Sequence, residues 1–177
     1  MEHYKVKKYS LFEFNNLKKE DNMNYELIDG ILFMSPRPNF KHQEIMSNLN
    51  VEIGTYLKNK PCKVFTEIEL EINNNVVIPD LSVICNLHST DFQRYTKAPE
   101  IVIEILSQSS RYTDMFTKLF KYEIFGVKEY WVLNPKTEII TVYCFENKTN
   151  NEFSKNEILK SFVFDDLAIN LQNIFTQ

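Results

Sequence analysis

Two acids of this chain sit inside apolar runs that read as buried β-strand. Asp80 lies in Val76-Val77-Ile78-Pro79-Asp80-Leu81-Ser82-Val83-Ile84, and Glu104 in Pro99-Glu100-Ile101-Val102-Ile103-Glu104-Ile105-Leu106. A carboxylate among β-branched residues loses its hydration, which costs several kcal/mol unless a cation, a shared proton or a metal ion compensates. Two such acids on candidate neighbouring strands point to a divalent-metal site. On the first strand Ile78, Asp80 and Ser82 share a face; on the second, Val102, Glu104 and Leu106 do. With matching register both carboxylates enter one pocket, where the Ile105 carbonyl is placed to be a third oxygen ligand. A hard cation such as Mg²⁺ accepts that set and completes its shell with water. Such an ion lowers the pKa of a bound water and stabilises charge on a phosphoryl oxygen. Without a metal, clustered carboxylates repel, and at least one pKa rises.

Other residues have two readings each. Glu26 is either an outer metal ligand or water-orienting group, or an ordinary exposed strand glutamate. Arg111, Asp114, Lys118 and Tyr122 recur at helical spacing and form one stripe of alternating charge. Lys118 can reach back to the acids, stabilise a pentavalent phosphate and orient the attacking water; spacing alone favours a solvated Asp114–Lys118 pair. His42 shares a stripe with Ile45 and Leu49 and reads as a capping or core histidine rather than a catalytic base. Tyr130 and Trp131 read as sheet packing rather than a base-stacking platform. Glu67, Glu69 and Glu71 form the wet face of a strand, with Glu67 able to approach the pocket.

The elements that must position these residues are readable from periodicity. Ser10-Leu11-Phe12-Glu13 has capping-box spacing and predicts a short N-terminal helix. Tyr25–Ile28 and Ile31–Met34 flank Asp29-Gly30, a two-residue hairpin signal. After Ser35-Pro36-Arg37-Pro38-Asn39 a long helix is expected to about Lys58, its stripe made of Ile45, Leu49, Ile53 and Leu57. Cys62 to Ile72 alternates as one half-exposed strand, joined through Asn73-Asn74-Asn75 to the Asp80 strand. Glu100–Leu106 is apolar on both faces, as a central strand is. Ser107 to Ser110 offers caps for a helix ending near Gly126. Two strands follow around Asn134-Pro135, and Leu167 to Phe175 is expected as a short packing helix. This order predicts an α/β fold, a mixed central β-sheet flanked by helices on both sides.

Composition narrows the function classes. At 177 residues, 44% hydrophobic, the chain is expected to be one domain with a substantial core. Three glycines leave no glycine-rich phosphate loop, so no organic nucleotide cofactor is expected. A net charge of -4 argues against a broadly basic coat but leaves room for a local basic cleft. Cys62, Cys85 and Cys144, lacking C-x-x-C spacing, read as free thiols in a reducing compartment. With a polar N-terminus and no run of membrane-spanning length, a cytoplasmic protein with no membrane partner is expected.

The ordered set Tyr25-Glu26-Leu27-Ile28-Asp29-Gly30, His42-Gln43, Pro79-Asp80-Leu81, Glu104-Ile105-Leu106-Ser107-Gln108-Ser109-Ser110-Arg111, Asp114, Lys118, Tyr122 and Gly126-Val127-Lys128-Glu129-Tyr130-Trp131 resembles the PD-(D/E)XK nuclease superfamily. Within it the match is to the Uma-two family of restriction endonucleases. The resemblance implies a restriction-endonuclease-like core and Mg²⁺- or Mn²⁺-dependent hydrolysis of DNA phosphodiester bonds. By the same likeness Asp80 and Glu104 are the metal-binding acids, with the Ile105 carbonyl beside them, and Glu26 is the acid preceding them. At Leu106 the superfamily commonly has lysine, and Lys118 is similar to a migrated replacement. The expected domain is 1–177, with a helical extension over 1–22, the nuclease core over 23–145 and a C-terminal extension over 146–177. A homodimer with its cleft between subunits is expected. The competing readings are a catalytically inactive nuclease-fold module that binds nucleic acid or protein, and a component of a defence or mobile-element system that acts with a partner.

Overall fold

The computed structural model describes residues 7–91, 93–107 and 112–176, with side chains in the last stretch from residue 116. The chain runs α1 (Leu11–Asn15), β1 (Met23–Ile28), β2 (Ile31–Pro36), α2 (Phe40–Tyr56), β3 (Cys62–Thr66), β4 (Leu70–Ile72), β5 (Asn75–Val77), β6 (Leu81–Cys85), β7 (Ile101–Ile105), α3 (Tyr112–Phe125), β8 (Glu129–Asn134), β9 (Ile139–Cys144), β10 (Thr149–Ser154), β11 (Ile158–Lys160) and β12 (Ala168–Asn170), then a 3₁₀ turn, Leu171–Asn173.

A six-stranded sheet, ordered β10-β9-β8-β7-β6-β3, carries the molecule. β7 and β8 are parallel, with α3 in the crossover between them, and the remaining pairs are antiparallel, so the sheet is mixed. Side-chain alternation sorts its residues onto two faces. Ile101, Ile103, Ile105, Trp131 and Leu133 pack against Ile45, Met46, Leu49 and Ile53 of α2. Val102, Tyr130 and Val132 face the other way, against Tyr122 of α3 and against Ile28, Leu70, Ile72 and Val77 of a second sheet, ordered β2-β1-β5-β4. The expected mixed α/β architecture with helices on both sides is therefore present. Beyond the second sheet, Phe14 of α1 packs with Tyr25, Leu27 and Val76.

Two expected strands each divide between the sheets. Pro79 has no N–H for a ladder and holds the preceding residue extended. Pairing accordingly ends at Val77, with β5 in the second sheet, and resumes at Leu81, with β6 in the first. The run from Cys62 to Ile72 breaks at Glu67, whose φ of 49° lies in the left-handed region. Val64 packs toward α2, whereas Leu70 and Ile72 pack in the other core. The alternation does not keep one face, because the chain changes sheets between them.

Local signals are expressed as expected elsewhere. Ser10 and Glu13 form a reciprocal capping box. Asp29 and Gly30 have φ of 52° and 78°, the two positive values of a type I′ hairpin turn. Gly126, at φ 95°, closes α3: its N–H donates to the Glu123 carbonyl, and that of Val127 to Tyr122. This is a Schellman ending. The expected caps at 108–110 lie outside the described residues, while Ser107 is placed beside the site.

Three further features differ from expectation. Cys62 and Cys85 are register partners across β3–β6 and are joined in a disulfide, leaving Cys144 as the free, buried thiol. Spacing along the chain carries no register, so the pair was invisible in the sequence. The C-terminal stretch forms a β11–β12 hairpin and a 3₁₀ turn rather than a packing helix. Its Leu159, Ile169, Leu171, Ile174 and Phe175 join the α2-side core. Finally, β10 extends the sheet with a polar, exposed edge strand.

Candidate functional site

The antiparallel pairing of β6 with β7 sets Leu81 opposite Ile103 and Ser82 opposite Val102. One step further along this register, Asp80 stands opposite Glu104. Asp80 is past the last paired residue of β6, and its Oδ2 accepts the Ile105 N–H at 2.6 Å. The Glu104 side chain shares the face of Val102, toward α3 and the second sheet. Both carboxylates line one cleft of about 480 Å³.

Two side chains of α3 converge on Glu104. Its Oε1 accepts from Tyr122 Oη at 2.8 Å and from Lys118 Nζ at 2.9 Å, both on α3. Lys118 Nζ is also 2.9 Å from Glu26 Oε1 on β1. Glu26 Oε1 in turn accepts the Ile78 N–H at 2.7 Å, a donor left outside the ladder where the chain leaves β5. Glu26 is thus not an ordinary exposed strand glutamate; its side chain is 15% exposed. Lys118 likewise faces inward, bridging two acids from different sheets, and Asp114 and Arg111 lie outside the described side chains. Leu106 lines the cleft with an apolar side chain, and the ammonium beside Glu104 comes from Lys118.

The electrostatics follow from burial. Loss of hydration, with Asp80 and Glu26 nearby, pushes Glu104 up to about 7 against the pull of Lys118. Burial opposes the charge on Lys118, but Glu104 and Glu26 outweigh it and raise its pKa. Tyr122 and Tyr130 are held far above the ordinary phenol value, chiefly by burial and then by Glu104. The Tyr130 hydroxyl lines the cleft, is buried and has no hydrogen-bond partner among the described residues. Sheet packing, expected of Tyr130, accounts for its ring but not for this hydroxyl.

His42 is buried in the first turn of α2, as its stripe predicts. Its backbone N–H is capped by Asn39 Oδ1 at 3.0 Å, as expected near a helix start. Its ring, however, enters the site: Nε2 is 3.2 Å from Asp80 Oδ1 and 3.2 Å from the Ile105 carbonyl. Burial lowers its pKa, and Asp80 more than reverses this, so the net direction is upward. The available signal was that His42 lies three residues before Ile45 on the stripe covering β7. Glu67 reaches the cleft, whereas Glu69 and Glu71 leave the solvent face to hold Arg94, at 2.6 and 3.2 Å.

Among the described residues, no three His, Cys, Asp or Glu side chains are arranged to hold a metal ion by themselves. The donor chemistry nonetheless fits a hard divalent cation. Asp80 and Glu104 supply carboxylate oxygens and Ile105 a carbonyl oxygen, and an octahedral ion of this kind keeps several waters. The buried, mutually repelling acids are the groups such a charge would stabilise. No helix of the described chain is long and apolar enough to cross a membrane.

No curated protein sequence matches this chain. Among solved structures, the fold resembles the crystal structure of a "putative nuclease belonging to DUF820" from Anabaena variabilis ATCC 29413. The TM-score is 0.83 at 22% identity, over 94% of this chain and 97% of that one, a likeness of fold. The family model Uma2, described as "putative restriction endonuclease", matches residues 11–172. Hairpin acid, central-strand acids and helix lysine all lie within the matched span, and the chain belongs to the Uma2 family of restriction-endonuclease-like proteins.

Proposed function

We propose that this protein is a metal-dependent endonuclease that hydrolyses DNA phosphodiester bonds. The observation that carries the reading is the opposition of Asp80 and Glu104 in one cleft, with Lys118 Nζ 2.9 Å from Glu104. Asp80, Glu104 and the Ile105 carbonyl would hold Mg²⁺ or Mn²⁺. When bound, the ion supplies Lewis-acid stabilisation of phosphoryl charge and a more acidic water. Lys118 donates to a non-bridging phosphate oxygen and orients the attacking water. Glu26 is a positioning residue, aiming the ammonium from the second sheet. The Ile105 N–H and the His42 ring orient the Asp80 carboxylate.

Residues 1–177 act as a single domain, since the C-terminal stretch shares the α2-side core. A homodimer is supported by Phe116, Phe120 and Ile124, which form an exposed apolar stripe on α3. A twofold copy would set that stripe against itself, the isologous arrangement homodimers use. A cytoplasmic location would give such an enzyme access to DNA, while the Cys62–Cys85 disulfide removes the free-thiol argument for a reducing compartment.

The test is nicking and linearisation of supercoiled plasmid in Mg²⁺ or Mn²⁺ by the wild type, Asp80→Ala and Lys118→Ala. The expected outcome is metal-dependent cleavage, with each variant reduced about 100-fold or more. Equal cleavage by all three proteins would trace the activity to a contaminant. Absence of both cleavage and metal uptake would instead favour an inactive binding module.

A further inference from the structure

We propose that the Tyr130 hydroxyl is a further catalytic group, a neutral donor to a non-bridging oxygen of the DNA phosphate that enters the cleft. This rests on the nuclease reading above and adds a residue to its machinery. Tyr130 is 1% exposed and lines the cleft with Glu26, Asp80, Glu104 and Lys118. Its Oη nevertheless has no hydrogen-bond partner among the described residues. A buried hydroxyl without a partner is costly, and native structures keep few of them.

The sheet fixes where this hydroxyl can be satisfied. Val102 pairs with Tyr130 and Glu104 with Val132 along the parallel β7–β8 ladder. Tyr130 therefore shares the face of Glu104, one diagonal step away. Its ring packs against those of Tyr122, 5.1 Å away between centroids, and Tyr143, at 6.1 Å. A phenolic O–H lies in the plane of its ring, so a ring held on two sides aims its donor. Tyr122, the neighbouring phenol, already donates to Glu104 Oε1, as does Lys118. Tyr130 keeps its donor for an acceptor that arrives in the cleft.

The lining carries four acids, Glu26, Glu67, Asp80 and Glu104, which repel a phosphate. A second ammonium there would pair with them, as Lys118 does. A phenol kept protonated by burial instead stays free to donate. Donors aimed in advance at phosphoryl charge act most strongly where water is excluded. Ser82 Oγ is also buried without a partner among the described residues, but Ser82 does not line the cleft, so it supplies a control.

The experiment compares wild type, Tyr130→Phe and Ser82→Ala in thermal unfolding, Mg²⁺ affinity by calorimetry, plasmid cleavage, and inhibition of cleavage by inorganic phosphate. Tyr130→Phe removes an unsatisfied hydroxyl and is expected to raise Tm by about 2–4 °C. Its cleavage should fall about 10- to 100-fold with Mg²⁺ affinity retained. Inorganic phosphate should inhibit it about 10-fold less tightly than wild type. Ser82→Ala should cleave, bind Mg²⁺ and respond to phosphate as wild type does. A lower Tm or a failure to fold in Tyr130→Phe gives the hydroxyl a structural role and overturns the proposal. So do cleavage at the wild-type rate, a parallel loss of Mg²⁺ affinity, an equal loss of cleavage in Ser82→Ala, and phosphate inhibition that is absent or the same in wild type and Tyr130→Phe. Each of these leaves the nuclease reading standing, whereas a wild type that neither cleaves nor takes up metal removes both.

Discussion

The Lys118 ammonium lies 2.9 Å from Glu104 Oε1, although fourteen residues separate the two and one is on a helix, the other in the central sheet. The same nitrogen is 2.9 Å from Glu26 Oε1, so one cation joins the two sheets through α3. A buried cation with two acids is costly to break, because removing one partner leaves charges without compensation.

Lys118→Met is therefore expected to destabilise the metal-free protein by about 3 kcal/mol, read by urea denaturation. Adding Glu26→Gln to it should recover part of the loss, since one orphaned charge disappears. Saturating Mn²⁺ should recover part as well. A Lys118→Met protein as stable as wild type would mean that the cluster is already solvated.

Glu104 makes metal-free stability depend on pH in a definite direction. Its native value is raised from the ordinary carboxylate range to about 7. Across that window the native chain keeps a proton that the unfolded chain gives up, so stability falls as pH rises. Lys118, with its value raised, contributes fully below its unfolded value and adds no slope there. Denaturation from pH 5 to 8 should show this decline in wild type and a flatter profile in Glu104→Gln. Metal affinity should rise through the same window, because the ligand must be ionised.

Glu129, at the start of β8, is fully buried and holds the C-terminal stretch. It accepts from Trp131 Nε1 at 2.8 Å, Ser161 Oγ at 2.6 Å, and the N–H groups of Phe162 and Val163 at 3.2 and 3.1 Å. Glu129→Ala removes the acceptor of the Trp131, Ser161 and Phe162 donors, whereas the Val163 N–H keeps its bond to Ser161 Oγ. The change is expected to cost about 3 kcal/mol. Trp131 is the sole tryptophan, so its emission should shift in the same variant. An unchanged spectrum would count against the indole contact.

Gly126→Ala isolates backbone strain at the end of α3. Among the described residues, an added Cβ meets only the Ala98 Cβ, at 3.7 Å, an ordinary contact. The positive φ alone should cost about 1 kcal/mol, seen as a lower Tm with no change in the metal affinity at Asp80.

Several features were written in short-range pattern. Asp29-Gly30 dictates a type I′ turn because both positions need positive φ, and Ser10 with Glu13 caps α1 by side-chain reach. The stripe from Ile45 to Leu57 makes α2 cover a sheet, and an apolar run on both faces makes β7 central. Buried-strand context likewise marked Asp80 and Glu104, since desolvation is a property of immediate neighbours. Other features required packing between segments distant in the chain. The breaks at Glu67 and Pro79 look locally like continuous alternation, and only the competition of two sheets for the same strands divides them. The polar edge strand β10 has one neighbour and no buried face, so it lacks the periodicity that betrays a strand. Cys62 met Cys85, and Lys118 met Glu26, through register and helix placement. The ring of His42 arrived at Asp80 because α2 docks over the end of β7. Chain-local periodicity selects elements, whereas the few ångströms separating side chains in a site depend on how finished elements pack.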